Sequence, residues 1–188
     1  EVPALRAPKD ERIAFPSAQA HVLIGQPGYK RSDPDFFALL VGNHILGGGG
    51  FSSRLMNEVR EKRGLAYSVY SYFLPLKDPG PFQLGLQTKK EQAEEALKLV
   101  QGVVADYVAR GPTAAELKAA KDNLTGGFAL RIDNNRKILD NLAVIGFYGL
   151  PLDYLDTWVA NVEKVTIADV RAAFAKHLKP SAFATVVV

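Results

Sequence analysis

Cysteine is absent from this 188-residue chain, which removes three chemistries at once: a disulfide framework, a thiolate zinc site and a cysteine nucleophile. A cysteine-free chain tolerates either redox compartment, so the composition leaves the compartment open. Long apolar runs are missing as well. With no stretch of about 18 consecutive apolar residues and no secretory apolar core, no spanning helix is predicted. Charge of one sign is also scarce: 23 basic and 20 acidic residues are interspersed, for a net charge of +3. That balance does not point to a nucleic-acid partner.

Histidine spacing excludes a local metal centre. A zinc hydrolase of the H-x-x-E-H or H-E-x-x-H type sets two imidazoles four residues apart on one helical face, with a glutamate beside them. Here His21 is followed by Val-Leu-Ile-Gly, His44 by Ile-Leu-Gly-Gly and His177 by Leu-Lys-Pro-Ser. No G-x-S-x-G elbow is present either. The chain is therefore expected to carry no catalytic residue, bind no metal or cofactor, and hydrolyse nothing alone.

What is present is a globular sequence, 47% apolar, enough for one sizeable core. Glu1 to Lys9, rich in proline and charge, reads as a linker arriving from something upstream, and residues 10–188 as one domain. Strands are predicted over Glu11 to Phe15 and Gln19 to Gln26. Asp33-Pro34 opens a helix carrying Phe36, Phe37, Leu40, Val41 and Ile45. Gly47 to Gly50 are expected to hold no regular element, and Ser52-Ser53 to cap a short helix reaching about Lys62. Strict alternation over Ala66 to Pro75 and again over Phe82 to Thr88 predicts a hairpin turned at Asp78-Pro79-Gly80. Helical periods follow from Glu91, from the capping box Thr113/Glu116, over Asn134 to Tyr148, and from Thr166/Asp169. A short turn is predicted around Trp158, and Ala182 to Val188 closes the chain as a strand. The order fits an α+β fold with two layers, a mainly antiparallel sheet with helices on one face.

The segment from residue 46 to 73 is the distinctive one: LGGGGFSSRLMNEVREKRGLAYSVYSYF. It fails both nucleotide-loop patterns, lacking the lysine of one and the third glycine of the other. Its glycines admit a close backbone, and its helix start adds positive potential. Arg60 near a helix end and Tyr67 at a strand start could meet across a tight Gly64 turn. Arg forks onto carbonyls or carboxylates and the Tyr hydroxyl donates beside it. The competing reading pairs Arg60 with Glu61 or Glu58 and packs Tyr67 under the sheet.

On the glycine loop Gly47 to Gly50, then Ser53-Arg54-Leu55, then Arg60-Glu61-Lys62-Arg63-Gly64-Leu65-Ala66-Tyr67-Ser68-Val69, the chain resembles the C-terminal domain of insulinase/pitrilysin-type metallopeptidases, the inverzincins. The resemblance implies a zinc-free domain facing a partner domain or subunit that bears H-x-x-E-H and holds Zn. It implies that Arg60 and Tyr67, with Gly47, Gly48, Gly49, Gly50 and Ser53, bind an extended peptide substrate, in a homo- or hetero-dimeric assembly. Two other functions stand beside it: a structural scaffold of the same fold with no proteolytic role, and an anion-binding module using the glycine loop with Arg54, Lys62 and Arg63.

Overall fold

A computed structural model describes residues 2–188 of the chain. The sheet has five strands: β1 (Lys9–Arg12), β2 (Gln19–Pro27), β3 (Ser68–Phe73), β4 (Pro81–Lys89) and β5 (Ala184–Val187). They lie in the order β1-β5-β2-β4-β3, with β1 parallel to β5 and all other neighbours antiparallel. Ala20, Val22 and Ile24 of β2 point inward while His21 and Leu23 point to solvent. The sheet thus has one covered face and one open face.

Helices α1 (Phe36–Asn43), α2 (Ala93–Arg110), α3 (Ala114–Gly126), α4 (Asn135–Tyr148), α5 (Tyr154–Lys164) and α6 (Ile167–His177) supply the second layer. Capping boxes start α3, from Thr113 and Glu116, and α6, from Thr166 and Asp169. Tyr107 ties three of the helices together. Its buried hydroxyl donates to the Gly42 carbonyl of α1 at 2.9 Å and its ring meets Phe174 of α6 edge-on at 5.0 Å. One apolar core runs from Val22 to Phe183, and the α+β, mainly antiparallel architecture matches the sequence reading.

Four local readings are corrected. The first strand is Lys9–Arg12 rather than Glu11 to Phe15, so the linker boundary falls on a strand residue. Its fully exposed KDER carries no apolar period and is recruited by the free edge of β5. The first helix narrows to Phe36–Asn43 and then widens into a π-type turn over His44–Gly48. Gly47 and Gly48, expected to be irregular, therefore sit in a helical turn, and Gly50–Ser52 form a 3₁₀ turn. Trp158 lies in an eleven-residue helix, not a short turn: Tyr154, Trp158 and Val162 recur at helical spacing, and Trp158 is buried against Phe128, ring centroids 4.7 Å apart.

Candidate functional site

The polypeptide between α1 and β3 forms the site, and close backbone packing shapes it. A Cβ at Gly47 would lie 2.5 Å from the Ser71 backbone nitrogen and 2.4 Å from its hydroxyl. Only glycine fits there, because the backbone admitted so closely is the chain's own β3. Asn43 locks the same junction, donating to the Ser71 carbonyl at 3.0 Å and accepting from the Ser71 hydroxyl at 2.8 Å. Ser53 is fully buried; its hydroxyl donates to the Gly50 carbonyl at 2.7 Å and faces the Met56 N–H at 3.4 Å. It caps the next turn, as its residue type predicts. Of the loop, Gly50 has open space around it and a positive φ of 60°.

The turn that follows, Met56–Glu61, is also π-type and delivers Arg60. Gly64, at φ 61°, donates to the Arg60 carbonyl at 2.8 Å, and Leu65 donates to Val59 at 2.9 Å. These bonds reverse the chain within four residues and bring Tyr67 beside Arg60. The guanidinium carbon lies 5.7 Å from the Tyr67 ring centroid and 4.8 Å from that of Phe51, both within cation–π range. Tyr67 is 79% exposed and Phe51 72%. Arg60, Gly64 and Tyr67 line one side of an open cleft of about 560 Å³, and Gln87, Thr88 and Lys89 of β4 line the other. The nearest carboxylate to Arg60 is Glu61 at 3.8 Å, a weak surface pair. Tyr67 does not pack under the sheet, and Glu58 is engaged elsewhere.

The rest of the basic segment is paired internally. Lys62 and Arg63 both donate to Glu58, at 2.6 and 2.8 Å, and their bonds hold its carboxyl below the usual range. Arg54 forks onto Glu116 at 2.8 and 2.6 Å, reaches the Gly111 carbonyl at 3.3 Å and lies 4.7 Å over the Tyr107 ring. A free cluster of basic side chains, which the anion-binding reading requires, is not formed by these three.

Phe51 escaped the sequence reading. Its signal is a large aromatic set between four glycines and two serines, where no core position is available. Asp33, Asp35 and His177 also converge, with ligand atoms within 4.8 Å of one another. Lys176 already supplies a cation there, 2.7 Å from Asp35, and its bond holds the Asp35 carboxyl below the ordinary value, with a lesser contribution from His177. That group staples the start of α1 to the end of α6. Burial lowers the His44 pKa, with Arg131 adding to it, and His21 stands on the open sheet face near Gln87.

Residues 1–124 match the family model described as the peptidase M16 inactive domain. The chain belongs to that family. An uncharacterized zinc protease of Streptomyces coelicolor is 36% identical over 162 residues, covering 86% of this chain and 35% of that protein. The non-peptidase homolog YmxG of Helicobacter pylori is 33% identical over 175 residues, covering 90% and 39%. The chain thus spans little more than a third of either relative's length. A crystal structure titled as a peptidase M16 inactive domain, from Pseudomonas fluorescens, superimposes with a TM-score of 0.92 at 45% identity, covering 98% of this chain and 43% of that one. The inactive peptidase domain of a Bordetella parapertussis zinc protease shares the fold, with a TM-score of 0.78 at 18% identity over 94% of this chain and 95% of that one. For this M16 inactive domain, among the described residues, no helix is long and apolar enough to cross a membrane.

Proposed function

We propose that this domain grips an extended peptide by its backbone and presents it to zinc held on a partner domain or subunit. The reading is carried by one observation: an arginine whose nearest carboxylate lies 3.8 Å away sits against an exposed tyrosine at the mouth of an open cleft. Arg60 donates to a peptide carbonyl, and the Tyr67 hydroxyl donates to the same or the next one. Phe51, on the loop that Gly50 turns, sets an exposed apolar ring beside Arg60. Gly47 fixes that loop against β3, Gly48 and Gly49 pack it on Asn43 and His44, and Ser53 holds Gly50. The contribution is orientation and carbonyl-side electrostatics, with the nucleophile generated elsewhere.

Binding of a labelled unstructured peptide to the chain, followed by fluorescence anisotropy, tests the proposal without the partner. A hydrogen bond from a charged donor contributes about 1.5–3 kcal/mol and a neutral one about 0.5–1.5. Arg60→Ala therefore weakens binding roughly 10- to 100-fold, and Tyr67→Phe roughly 2- to 10-fold. Equal affinity for wild type and both variants rejects the assigned roles. That result would favour the scaffold reading, to which the name of the Helicobacter relative, a non-peptidase homolog, lends support.

A further inference from the structure

Among the described residues Arg31 is the one buried arginine, 9% exposed. Its burial follows from the segment that carries it. Lys30 bridges Leu76, so the residues on either side of it, Tyr29 and Arg31, turn inward together while Lys30 stays exposed. Burying a guanidinium is costly unless a counter-charge offsets the lost hydration, and the partly buried Arg54 has one in Glu116. Arg31 has none: among the described residues no carboxylate pairs with it, and Asp33, two residues on, is committed to the Asp35 N–H at 2.9 Å and to His177 at 3.6 Å. One hydrogen bond holds the Arg31 side chain, from Nη2 to the Tyr154 hydroxyl at 2.6 Å, and its guanidinium carbon lies 3.7 Å over the Phe36 ring. An aromatic face attracts a cation but gives its in-plane N–H groups no acceptor.

Those N–H groups have somewhere to point. No nitrogen of the side chain is sealed off without an acceptor, so the ones that Tyr154 leaves over reach the cavity of about 320 Å³ that Arg31 lines. Its walls are apolar: Leu39 and Leu40 of α1, Phe73 and Pro75 at the end of β3, and Val144 and Tyr148 of α4. The Asn43 amide at the same cavity is spent on Ser71. Tyr29 adds a buried phenol whose hydroxyl makes no hydrogen bond among the described residues. Burial pushes its pKa far above the ordinary value, so it stays a neutral donor.

A single fixed positive charge at the wall of an apolar cavity selects its ligand. A carboxylate matches the planar guanidinium fork in both charge and geometry. A phosphate dianion would bring a second charge that nothing here offsets, and a cation is repelled. The volume lies at the small end of the range for ligand sites, which suits a short chain or one ring. We propose that this cavity binds a small apolar monocarboxylate, its carboxylate forked on Arg31 and its hydrocarbon part held between α1 and α4. Free short-chain or aryl acids share that chemistry with the last residue of a peptide ending in an apolar side chain. The walls and the cation all belong to this chain. The site does not rest on the peptide-gripping reading, since neither Arg60 nor Tyr67 lines it.

Calorimetric titration of the chain at neutral pH with sodium octanoate, and with octanol as the uncharged control, tests charge and cavity together. Octanoate should bind with a Kd on the order of 0.1 mM. Octanol should bind about 10-fold more weakly or worse, since a fork of charge-assisted bonds is worth about one to two decades of affinity. No binding of octanoate up to about 5 mM, or equal affinity for the two probes, overturns the proposal. Arg31→Met keeps the stem's volume and removes a charge that no carboxylate pairs, so it should fold, checked by circular dichroism. It should lose about 10-fold or more in octanoate affinity and hold octanol as before. Val144→Trp, at a wall position 39% exposed, leaves the charge in place and fills the cavity, so both probes should weaken by about 10-fold or more. Wild-type octanoate affinity in either folded variant refutes the site. N-acetylphenylalanine separates the two sources: tighter binding than octanoate assigns the site to the last residue of a peptide, and weaker binding assigns it to a free acid. An N-acetylphenylalanine amide that binds as tightly as the acid overturns the role given to Arg31.

Discussion

Replacing Arg54 by methionine removes a charge from one of the best-formed ion pairs in the molecule while keeping most of the stem's volume. Arg54 and Glu116 meet in two parallel hydrogen bonds at 2.8 and 2.6 Å, the geometry in which arginine and carboxylate interact most strongly. Breaking a fully buried pair by deleting one partner costs about 3–5 kcal/mol, and an exposed pair is worth about 0–1. The two side chains are 15% and 28% exposed, so about 2 kcal/mol is expected, or a fall in Tm of roughly 4–8 °C for a domain of this size. Glu116→Gln keeps a capping acceptor for the Thr113 N–H, so the cycle Arg54→Met, Glu116→Gln and double variant isolates a coupling of about 1–2 kcal/mol by urea unfolding. Burial alone would raise the Glu116 carboxyl, but the bonds from Arg54 and Thr113 hold it below its usual value. A depressed folded pKa contributes stability that is fully present above the unfolded value, near 4.3, and is lost as pH falls through the folded one. The Arg54→Met penalty should therefore be constant from neutral pH down to about 5 and shrink below that. A coupling under about 0.5 kcal/mol at neutral pH, or a penalty that grows in acid, would refute the reasoning.

Two further perturbations test the frame around the cleft. Gly47→Ala sets a methyl against the Ser71 backbone at 2.5 Å, and the overpacking should destabilise the domain by about 1–3 kcal/mol, measurable by thermal unfolding, and reduce peptide binding along with it. Asp35→Asn removes the carboxylate shared by Lys176 and His177. At this partly buried site, where Lys176 alone is well exposed, the loss at neutral pH should be about 1 kcal/mol. Since the Asp35 pKa is depressed, the wild-type advantage should begin to shrink as pH falls below about 4, the unfolded value, and be lost as pH falls through the folded one, read from denaturation midpoints of the two proteins.

The strand–hairpin–helix order, both capping boxes and the pairing of β3 with β4 follow from local periodicity and residue chemistry, so the sequence alone determined them. So did the choice of Arg60 and Tyr67, through the resemblance of one segment and the Gly64 turn between them. The tertiary structure decided which charges are free. Arg54, Lys62 and Arg63 look identical to Arg60 in composition, yet each is claimed by a carboxylate, and Arg54 by one 62 residues away. Strand β1 could not be read either, because KDER has no apolar period and owes its conformation to the edge of β5 at the far end of the chain. The same holds for Gly47, where the need for glycine arises from Ser71 on another element. Sequence spacing fixes contacts that repeat every two or four residues. Contacts between distant segments depend on how the layers close, and those contacts set which basic side chains are claimed by a close carboxylate and which helix is left largely exposed.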